Sequence, residues 1–493
     1  MRKLEVPMER LTKGFKWLYL IHIFFAGNSI IYDTPIEKYT SLLVVCLGAI
    51  VVLWRFMNIK KFINYPFLKL YMLFAVSFGL TMVVNWNYGW TSNFKILIWM
   101  IFQFAALYVF DLERSKNDVS KELLISLYII IGFMTLANLT SIIMLFTNYL
   151  HYRILDESMT FLIGVAYWGR LYGVHTDPNY AAVASVVAIM AALYIFLKTD
   201  KYFIRILMSC SVGIQLMAMA FSASRTGMVT ISVSMFMFFF LLTMSKWKKI
   251  VKSVFIGAIA VIIVFASNKG IVAAYNGYTQ MLGDVVETTE EKEITETKKI
   301  EETIETEKTI EETVEIEDNS SDVGEEKKEL VKIGREEELS GDISNRRFDL
   351  WNNSIQIFKK SPILGIGFGN IVSYAKEELP DCYLLTNGFS IFDAFHNMIM
   401  DLIASQGIVG IVIFLTLMLA SLIYLIRNFR SIPQDNRLEC IFAFSCCLGM
   451  AVSSMFVSHI LYVNNQTTVM FWLLWGYLIY YVTASVRKNE KRV

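Results

Sequence analysis

The sequence predicts an all-α integral membrane protein with about twelve transmembrane helices and one large outside loop between helices nine and ten. Composition is the first reason. The 493-residue chain is 55% hydrophobic and only 18% charged, below the ~25% typical of soluble domains, and its mean hydropathy is +0.49. The second reason is that the apolar residues gather in runs near the ~20 residues that a helix needs to cross a bilayer.

Twelve apolar runs are predicted as membrane helices. They lie near residues 15–32, 40–57, 66–84, 94–110, 122–147, 179–197, 203–222, 226–245, 250–267, 397–426, 438–460 and 467–484. The first is interpreted as a retained helix because no small-residue cleavage site follows it. The tenth contains Asp401 and Gln406, so its first turns are expected to be re-entrant or to lie in a cavity.

Basic residues in alternate loops predict the orientation. Lys and Arg concentrate in cytoplasmic loops, and here they cluster at the N-terminus, in every second loop between the runs (near residues 60, 116, 200, 248 and 432), and in the tail 487–492. Both ends are therefore placed on the cytoplasmic side of the plasma membrane, which the chain is expected to cross many times. The net charge of +1 gives no indication of nucleic-acid binding, and no such partner is expected.

This orientation divides the chain into three parts: helices one to nine in 1–267, the outside loop 268–395, and the last three helices in 396–493. Within the loop, residues 287–330 are acidic and repetitive, since IEETIETE recurs as IEETVEIE ten residues later. This segment is interpreted as a solvated, flexible or frayed-helical insertion. A calcium- or partner-binding role is the alternative, but no ligand spacing is visible.

The loop changes character after the insertion. Arg347, Trp351, Ile355 and Phe358 follow at helical spacing, which predicts an amphipathic helix at the membrane face or packed on the bundle. Pro362 and the GIGFG sequence then end it, and GIGFG is interpreted as a turn rather than a nucleotide-binding loop.

Four side chains stand out at the predicted outer mouths of the helices, where charge is costly to place. They are Arg170, Arg225, Arg347 and His396. Guanidinium makes two-point hydrogen bonds with phosphate oxygens, and imidazole can accept a proton near neutral pH. Together they predict a phosphate-binding mouth with a proton acceptor. Taken singly, each Arg could snorkel or pair with a headgroup, and His396 could be an interfacial helix cap.

Three further residues are candidates for supporting roles. His175 lies close to Arg170 in the sequence and is a candidate second polar group of the site. Asn397 and Asp393 flank His396 and are candidates for orienting it or for contacting an acceptor. Six cysteines include no CxxC pair, and no metal or other cofactor is predicted.

The motifs around these residues resemble those of the O-antigen ligase and polymerase family. The strongest match is the H-N-x9-G-x-x-G pattern that begins at His396 and ends at Gly410. SASRTG around Arg225, R-x3-W from Arg347 with SPILGIGFGN after it, and Arg170 with DPN at 177–179 are similar to the family's other motifs and follow in the same order. The resemblance covers roughly residues 165–480, and the acidic insertion departs from the pattern.

The resemblance implies a transferase that moves a glycan from polyprenyl diphosphate to an acceptor hydroxyl on the outer side. Its partners would be the lipid-linked donor and acceptor and the bilayer, with a flippase and a chain-length regulator as candidate partners. Arginines would bind the departing diphosphate without a metal. His396 would take the proton of the attacking hydroxyl.

The family divides by acceptor, and its motifs do not separate the branches. A repeat-unit polymerase for capsule, exopolysaccharide or O-antigen is favoured because it is the broader role. A ligase that transfers the glycan to another acceptor is the alternative. A polysaccharide transporter or flippase shares the twelve-helix layout, but its usual internal repeat is not visible here. A non-catalytic assembly protein is the remaining alternative.

Overall fold

The computed structural model describes residues 2–156, 159–307, 330–334, 346–387 and 391–490. In chain order, the helices are α1 (Arg2–Ala26), α2 (Pro35–Met57), α3 (Ile59–Phe62), α4 (Leu68–Val84), α5 (Trp90–Phe102), α6 (Lys116–Phe146), α7 (Pro178–Lys198), α8 (Tyr202–Phe221), α9 (Arg225–Trp247), α10 (Ile250–Glu307), α11 (Arg347–Lys360), α12 (Ile371–Glu378), α13 (Tyr383–Thr386), α14 (Met398–Asn428), α15 (Arg437–Ser453) and α16 (Gln466–Glu490). The strands are β1 (Leu150–Asp156), β2 (Met159–Ala166) and β3 (Arg170–Gly173).

Each of the twelve apolar runs coincides largely with a helix. Within the part of the chain that the structure describes, eight helices are long and apolar enough to cross a membrane: α2, α6, α7, α8, α9, α10, α14 and α16. Helix α4 is apolar but shorter, and α5 continues into a π-helical stretch over Gln103–Tyr108. The mostly helical, multi-pass membrane architecture is confirmed, while the count of twelve and the orientation stay predictions.

The burial pattern shows which helices form the centre of the bundle. Helices α7 and α16 are buried along most of their length, whereas the other long apolar helices are buried over less than half of theirs. On α2, for example, Leu53 and Phe56 are 61% and 73% exposed. Large apolar side chains exposed all around a bundle are unfavourable in water, but lipid tails cover them without cost.

A three-stranded antiparallel sheet between α6 and α7 was not predicted. Its order is β1-β2-β3, with Leu150 opposite Gly164 and Val165 opposite Leu171. The strands are short, and β1 exposes both faces in part, so the sequence shows no clear alternation there. The sheet matters for the site because Arg170 is the first residue of β3.

The two ends of the acidic insertion are held at one place. Helix α10 passes residue 267 and continues to Glu307, and residues 308–329 of the insertion lie outside the described part. Where the chain returns, the Asn276 side chain donates to the Ile333 carbonyl at 2.7 Å and accepts from the Ile333 N–H at 2.8 Å. Gly334 N–H also donates to the Gly169 carbonyl at 3.2 Å, which ties this segment to the residue before Arg170.

The amphipathic helix predicted from Arg347 is present as α11, and it ends before Pro362 as expected. It packs against α14 through Leu350, Ser354 and Ile357, which are buried. Ile355, predicted on the apolar face, is 38% exposed. Of the two placements left open by the sequence, packing on the bundle is the one observed.

Helix α14 is broken at Gly407, whose φ and ψ are 57° and −152°. Residues 362–367, which follow α11, fill the break and pair with α14 on both sides of it. The bonds run from Ile366 N–H to the Ala404 carbonyl, Gly367 N–H to Ser405, Ile408 N–H to Pro362 and Val409 N–H to Ile363, at 2.8–3.2 Å. The turn predicted for GIGFG therefore completes the hydrogen bonding of a membrane helix.

The two polar residues of the tenth run are buried in protein. Gln406 donates to the Ser77 hydroxyl at 2.6 Å and accepts from the Tyr462 hydroxyl at 2.6 Å. Asp401 accepts from the Phe395 N–H at 2.9 Å. Both side chains are at most 2% exposed, so their polar atoms are satisfied by neighbouring helices and loops, as a membrane interior requires.

Candidate functional site

The first turns of α7, α9, α11 and α14 carry the predicted site. Three of them begin with a side-chain cap: Asp177 accepts from the N–H groups of residues 179 and 180, Ser224 from residue 227, and Asn397 from residues 399 and 400. Capping satisfies N–H groups that would otherwise be free to bind an anion. Binding of a phosphate here would therefore depend on the arginine side chains.

Arg170 joins two of the sequence motifs. Its Nε donates to the Ser222 carbonyl at 2.9 Å, and its Nη2 donates to Asn179 Oδ1 at 2.7 Å. The Ser224 hydroxyl donates to the same Asn179 oxygen at 3.0 Å. Arg170 is 7% exposed, so this guanidinium holds the DPN and SASR segments together from a buried position.

Arg225 is placed differently from Arg170. It is the first residue of α9, directly after the Ser224 cap, and its side chain is exposed. The turn before it requires Ala223 to adopt φ +48°, a conformation that costs free energy for a residue with a side chain. This strained turn fixes where α9 begins and therefore where the exposed Arg225 side chain is placed.

His396 and Arg347 are brought together by the packing of α11 on α14. His396 is partly buried, and its pKa is lowered, first by burial and then by the positive charge of Arg347. Asp177 and Asp393 act in the opposite direction. The lowered pKa favours the neutral imidazole, which is the form that can accept a proton.

Asp177 and Asn179 connect the two pairs of residues. The negative charge of Asp177 acts to raise the pKa of His396. Two residues further along the chain, Asn179 contacts Arg170 and Ser224. These contacts place Arg170 and Ser224 at the first turn of α7, and the charge of Asp177 links His396 to the same turn.

The neighbours of His396 have distinct positions. Asn397 is 4% exposed; its oxygen caps α14, and its Nδ2 donates to the Met455 carbonyl at 3.0 Å. Its amide therefore fixes the backbone beside His396. Asp393 is exposed and acts on His396 through its charge. Their roles toward a substrate stay predictions.

His175 is buried in the bundle. Its Nε2 lies 2.8 Å from Asn138 Oδ1, and burial lowers its pKa to about 4. Its backbone forms an isolated bridge with Asn28. These contacts describe a neutral histidine that joins α6 to the turn before α7, and its predicted part in the site is untested.

Among the described residues, no group of three or more His, Cys, Asp or Glu side chains is arranged to hold a metal ion. The chemistry available from the residues present is a neutral imidazole, a nearby cation and a second, exposed cation. Such a set can accept a proton from a hydroxyl and stabilise the charge of a departing phosphate.

Comparison with known proteins assigns a family to one segment of the chain. Residues 210–415 match the family model described as O-Antigen ligase. This segment belongs to the O-antigen ligase family. The resemblance predicted from the motifs is confirmed, and the matched O-antigen ligase segment includes Arg225, Arg347, His396 and the break at Gly407.

A second comparison gives a relative of unassigned role. An uncharacterized protein of Haemophilus influenzae (strain ATCC 51907 / DSM 11121 / KW20 / Rd) is 26% identical over 121 residues. The match covers 24% of this chain, and the chain spans 28% of the length of that relative. The O-antigen ligase segment therefore carries the family assignment.

Several residues of the candidate site were not singled out from the sequence. Asp177 and Ser224 carry a signal that was available, because Asp before Pro and Ser before a helix are typical N-caps. Asp401 was noted as a polar residue in an apolar run, but its bond to Phe395 depends on a turn of the chain that no local pattern predicts.

Proposed function

We propose that the protein is a membrane glycan transferase that moves a glycan from polyprenyl diphosphate to an acceptor sugar hydroxyl. The observation that carries this proposal is that His396 and Arg347 lie in the segment that matches the O-antigen ligase family, where burial and the charge of Arg347 lower the pKa of the imidazole and so favour its proton-accepting form. The reaction needs these two functions, since a hydroxyl must lose a proton and a diphosphate must leave as an anion.

In this proposal the acceptor oxygen attacks the anomeric carbon of the donor. The new glycosidic bond forms while the bond between that carbon and the phosphate oxygen breaks. His396 takes the hydroxyl proton, and polyprenyl diphosphate leaves with the bonding electron pair. Arg347 and Arg225 stabilise its negative charge, which guanidinium can do by two-point hydrogen bonding. Arg170 supports the turn that carries Arg225.

We assign the acceptor to another lipid-linked repeat unit, so that the enzyme is a polymerase of a surface polysaccharide. The test uses a strain that lacks the gene. Accumulated single lipid-linked repeats indicate a polymerase. The purified protein should also elongate isolated lipid-linked repeats in detergent, where no transport can occur; absence of elongation together with loss of repeats from the outer leaflet would instead indicate a transporter.

A ligase is the second candidate, and the description of the matching family model favours it. A ligase uses the same leaving group and the same proton transfer but a different acceptor. A strain without the gene would then accumulate long lipid-linked chains, and the purified protein would leave single repeats unchanged. The His396 and Arg347 chemistry is common to both outcomes.

A further inference from the structure

The peptide just before His396 is held from two sides. Asp401 Oδ1 accepts a hydrogen bond from the Phe395 N–H at 2.9 Å. The Trp351 Nε1 donates to the Phe395 carbonyl at 3.1 Å. Phe395 itself is fully buried, so both polar groups of this residue are paired inside the protein.

His396 needs such support because of its own backbone. Its φ is +51°, the left-handed region that side chains other than glycine occupy at a cost in free energy. Such a conformation persists only where the surrounding structure determines it. On the C-terminal side, Asn397 is fixed to the Met455 carbonyl; on the N-terminal side, Phe395 is fixed by Asp401 and Trp351.

Asp401 is a costly residue to place at this position. It is 2% exposed and lies in the first turn of a membrane helix. An ionisable group is costly to place there, so its presence points to a function. Buried in this way, it is out of reach of a substrate arriving from water. Its contact with Phe395 means that it can affect the site through the backbone of the residue next to His396.

We propose that Asp401 and Trp351 are positioning residues that set the orientation of the His396 imidazole by fixing the Phe395 peptide. Asp401 contributes a hydrogen-bond acceptor, and Trp351 contributes a donor from α11, the helix that begins with Arg347. The bond from Trp351 to Phe395 therefore also sets the placement of α11 relative to His396. This inference rests on the proposed function, in which His396 accepts the proton.

The test compares four variants by their turnover of lipid-linked donor in detergent. Asp401→Asn keeps an acceptor oxygen and should retain most of the activity. Asp401→Ala removes it and should lower kcat by ~10- to 100-fold with little change in KM, as expected when a reacting group is misplaced. Trp351→Phe keeps the ring packing but loses the donor, and should lower kcat in the same direction.

Ser354→Ala is the matched control. The Ser354 hydroxyl donates to the Met400 carbonyl at 2.7 Å, so it also bridges α11 and α14, but it does not touch Phe395. Its loss should leave kcat close to wild type. A strong loss in this variant would show that any bond between the two helices matters equally and would overturn the assignment.

Two other outcomes would also overturn it. Equal loss of activity in Asp401→Asn and Asp401→Ala would show that the charge matters rather than the acceptor. Full activity of Asp401→Ala and Trp351→Phe, with His396→Ala inactive, would reject the positioning role and leave the proposed function standing. Full activity of His396→Ala would reject the proposed function itself. If Asp401→Ala does not fold, Asp401→Asn and Trp351→Phe still decide.

Discussion

Arg170 and Asn179 are joined by a hydrogen bond of 2.7 Å, from the guanidinium Nη2 to the side-chain oxygen. The bond links the start of β3 to the first turn of α7, one of the two most buried helices of the bundle. The structure thereby distinguishes two arginines to which the sequence assigns the same predicted role: Arg170 is buried, whereas Arg225 is exposed.

Replacing Arg170 should therefore destabilise the fold. In Arg170→Ala, the buried Ser222 carbonyl and the partly buried Asn179 oxygen lose their charged donor, and the free energy of unfolding should fall by ~1–3 kcal/mol. Thermal unfolding of the purified protein in detergent measures this. Arg225→Ala should unfold at the wild-type temperature and yet lose activity. An unchanged midpoint for Arg170→Ala would show that the guanidinium does not hold the two segments.

The pH dependence of activity should report on His396. Its pKa is lowered from 6.5 by burial and by Arg347, and Asp177 and Asp393 oppose the shift. A lowered pKa keeps the imidazole neutral to lower pH, so the midpoint of the fall in rate should lie below pH 6.5. His396→Ala and His396→Gln should both lose ~10²–10⁴-fold in rate. Substantial activity of the Gln variant would make His396 a hydrogen-bonding residue rather than a base.

Replacing Arg347 should change the pH at which activity falls on the acid side of the rate profile, called the acid limb. In Arg347→Gln the repulsion between guanidinium and imidazolium is removed, the His396 pKa rises, and the residual activity should fall at a higher pH than in wild type. Arg347→Lys keeps the charge and should leave the limb in place while losing rate, because it lacks the two-point geometry for phosphate. Rate profiles of the three proteins measured at saturating donor make the comparison. Superimposable profiles would exclude a direct influence of Arg347 on the base.

The break in α14 should tolerate no side chain. At Gly407, an added Cβ would lie 2.5 Å from the Ile363 carbonyl oxygen, and φ is +57°. Gly407→Ala should therefore displace residues 362–367 and lower the folded yield in membranes. Gly213→Ala in α8, where no atom lies within 4 Å of the added Cβ, is the control and should fold normally. Equal yields would mean that the break accommodates a side chain.

The acidic insertion should be dispensable for chemistry. Its ends stay paired through Asn276 and Ile333, which a deletion of 287–330 bridged by a short Gly-Ser linker retains. Loop length changes closure entropy only slowly. Polymer synthesis by the deleted protein should therefore remain substantial at equal membrane levels. Complete loss of synthesis in a deletion that reaches the membrane would show that the insertion takes part in function.

The orientation can be tested by cysteine labelling from outside, after the six native cysteines are replaced; Cys46 and Cys210 are exposed and would otherwise interfere. A membrane-impermeant reagent should reach Ile310→Cys and miss Gln434→Cys. Gln434 is chosen because it is exposed, whereas the neighbouring Ile432 is 2% exposed and would escape labelling on either side. The reverse pattern would place the candidate site inside the cell.

Local patterns predicted much of this protein. Apolar runs near the length needed to cross a membrane located the helices, and the spacing from Arg347 to Phe358 located α11. Both signals depend on residues close in sequence. The sheet was missed because its strands are short and partly exposed on both faces. The break in α14 was anticipated only as an irregular start, since residues 362–367 that fill it lie some forty positions earlier in the chain.

The candidate site divides in the same way. His396, Arg347 and Arg225 were identified from residue type and position, and the structure gives each a setting that the sequence could not show. The burial of Arg170 depends on contacts between distant segments, and the pairing of Asp401 with Phe395 depends on the turn between them, which no local pattern predicts. Such contacts are set by how helices pack, so a sequence read by itself gives the chemistry of a side chain but not its neighbours.

Because four backbone hydrogen bonds of α14 are made with residues 362–367, this helix cannot be completed by its own residues. Unpaired backbone groups cost several kcal/mol each in hydrocarbon. Without residues 362–367, the break at Gly407 would leave these groups unpaired, so this conformation of α14 is stable only after the preceding loop has folded back onto it. The assembly of the last part of the bundle is thereby coupled in time to the folding of the loop that carries Arg347.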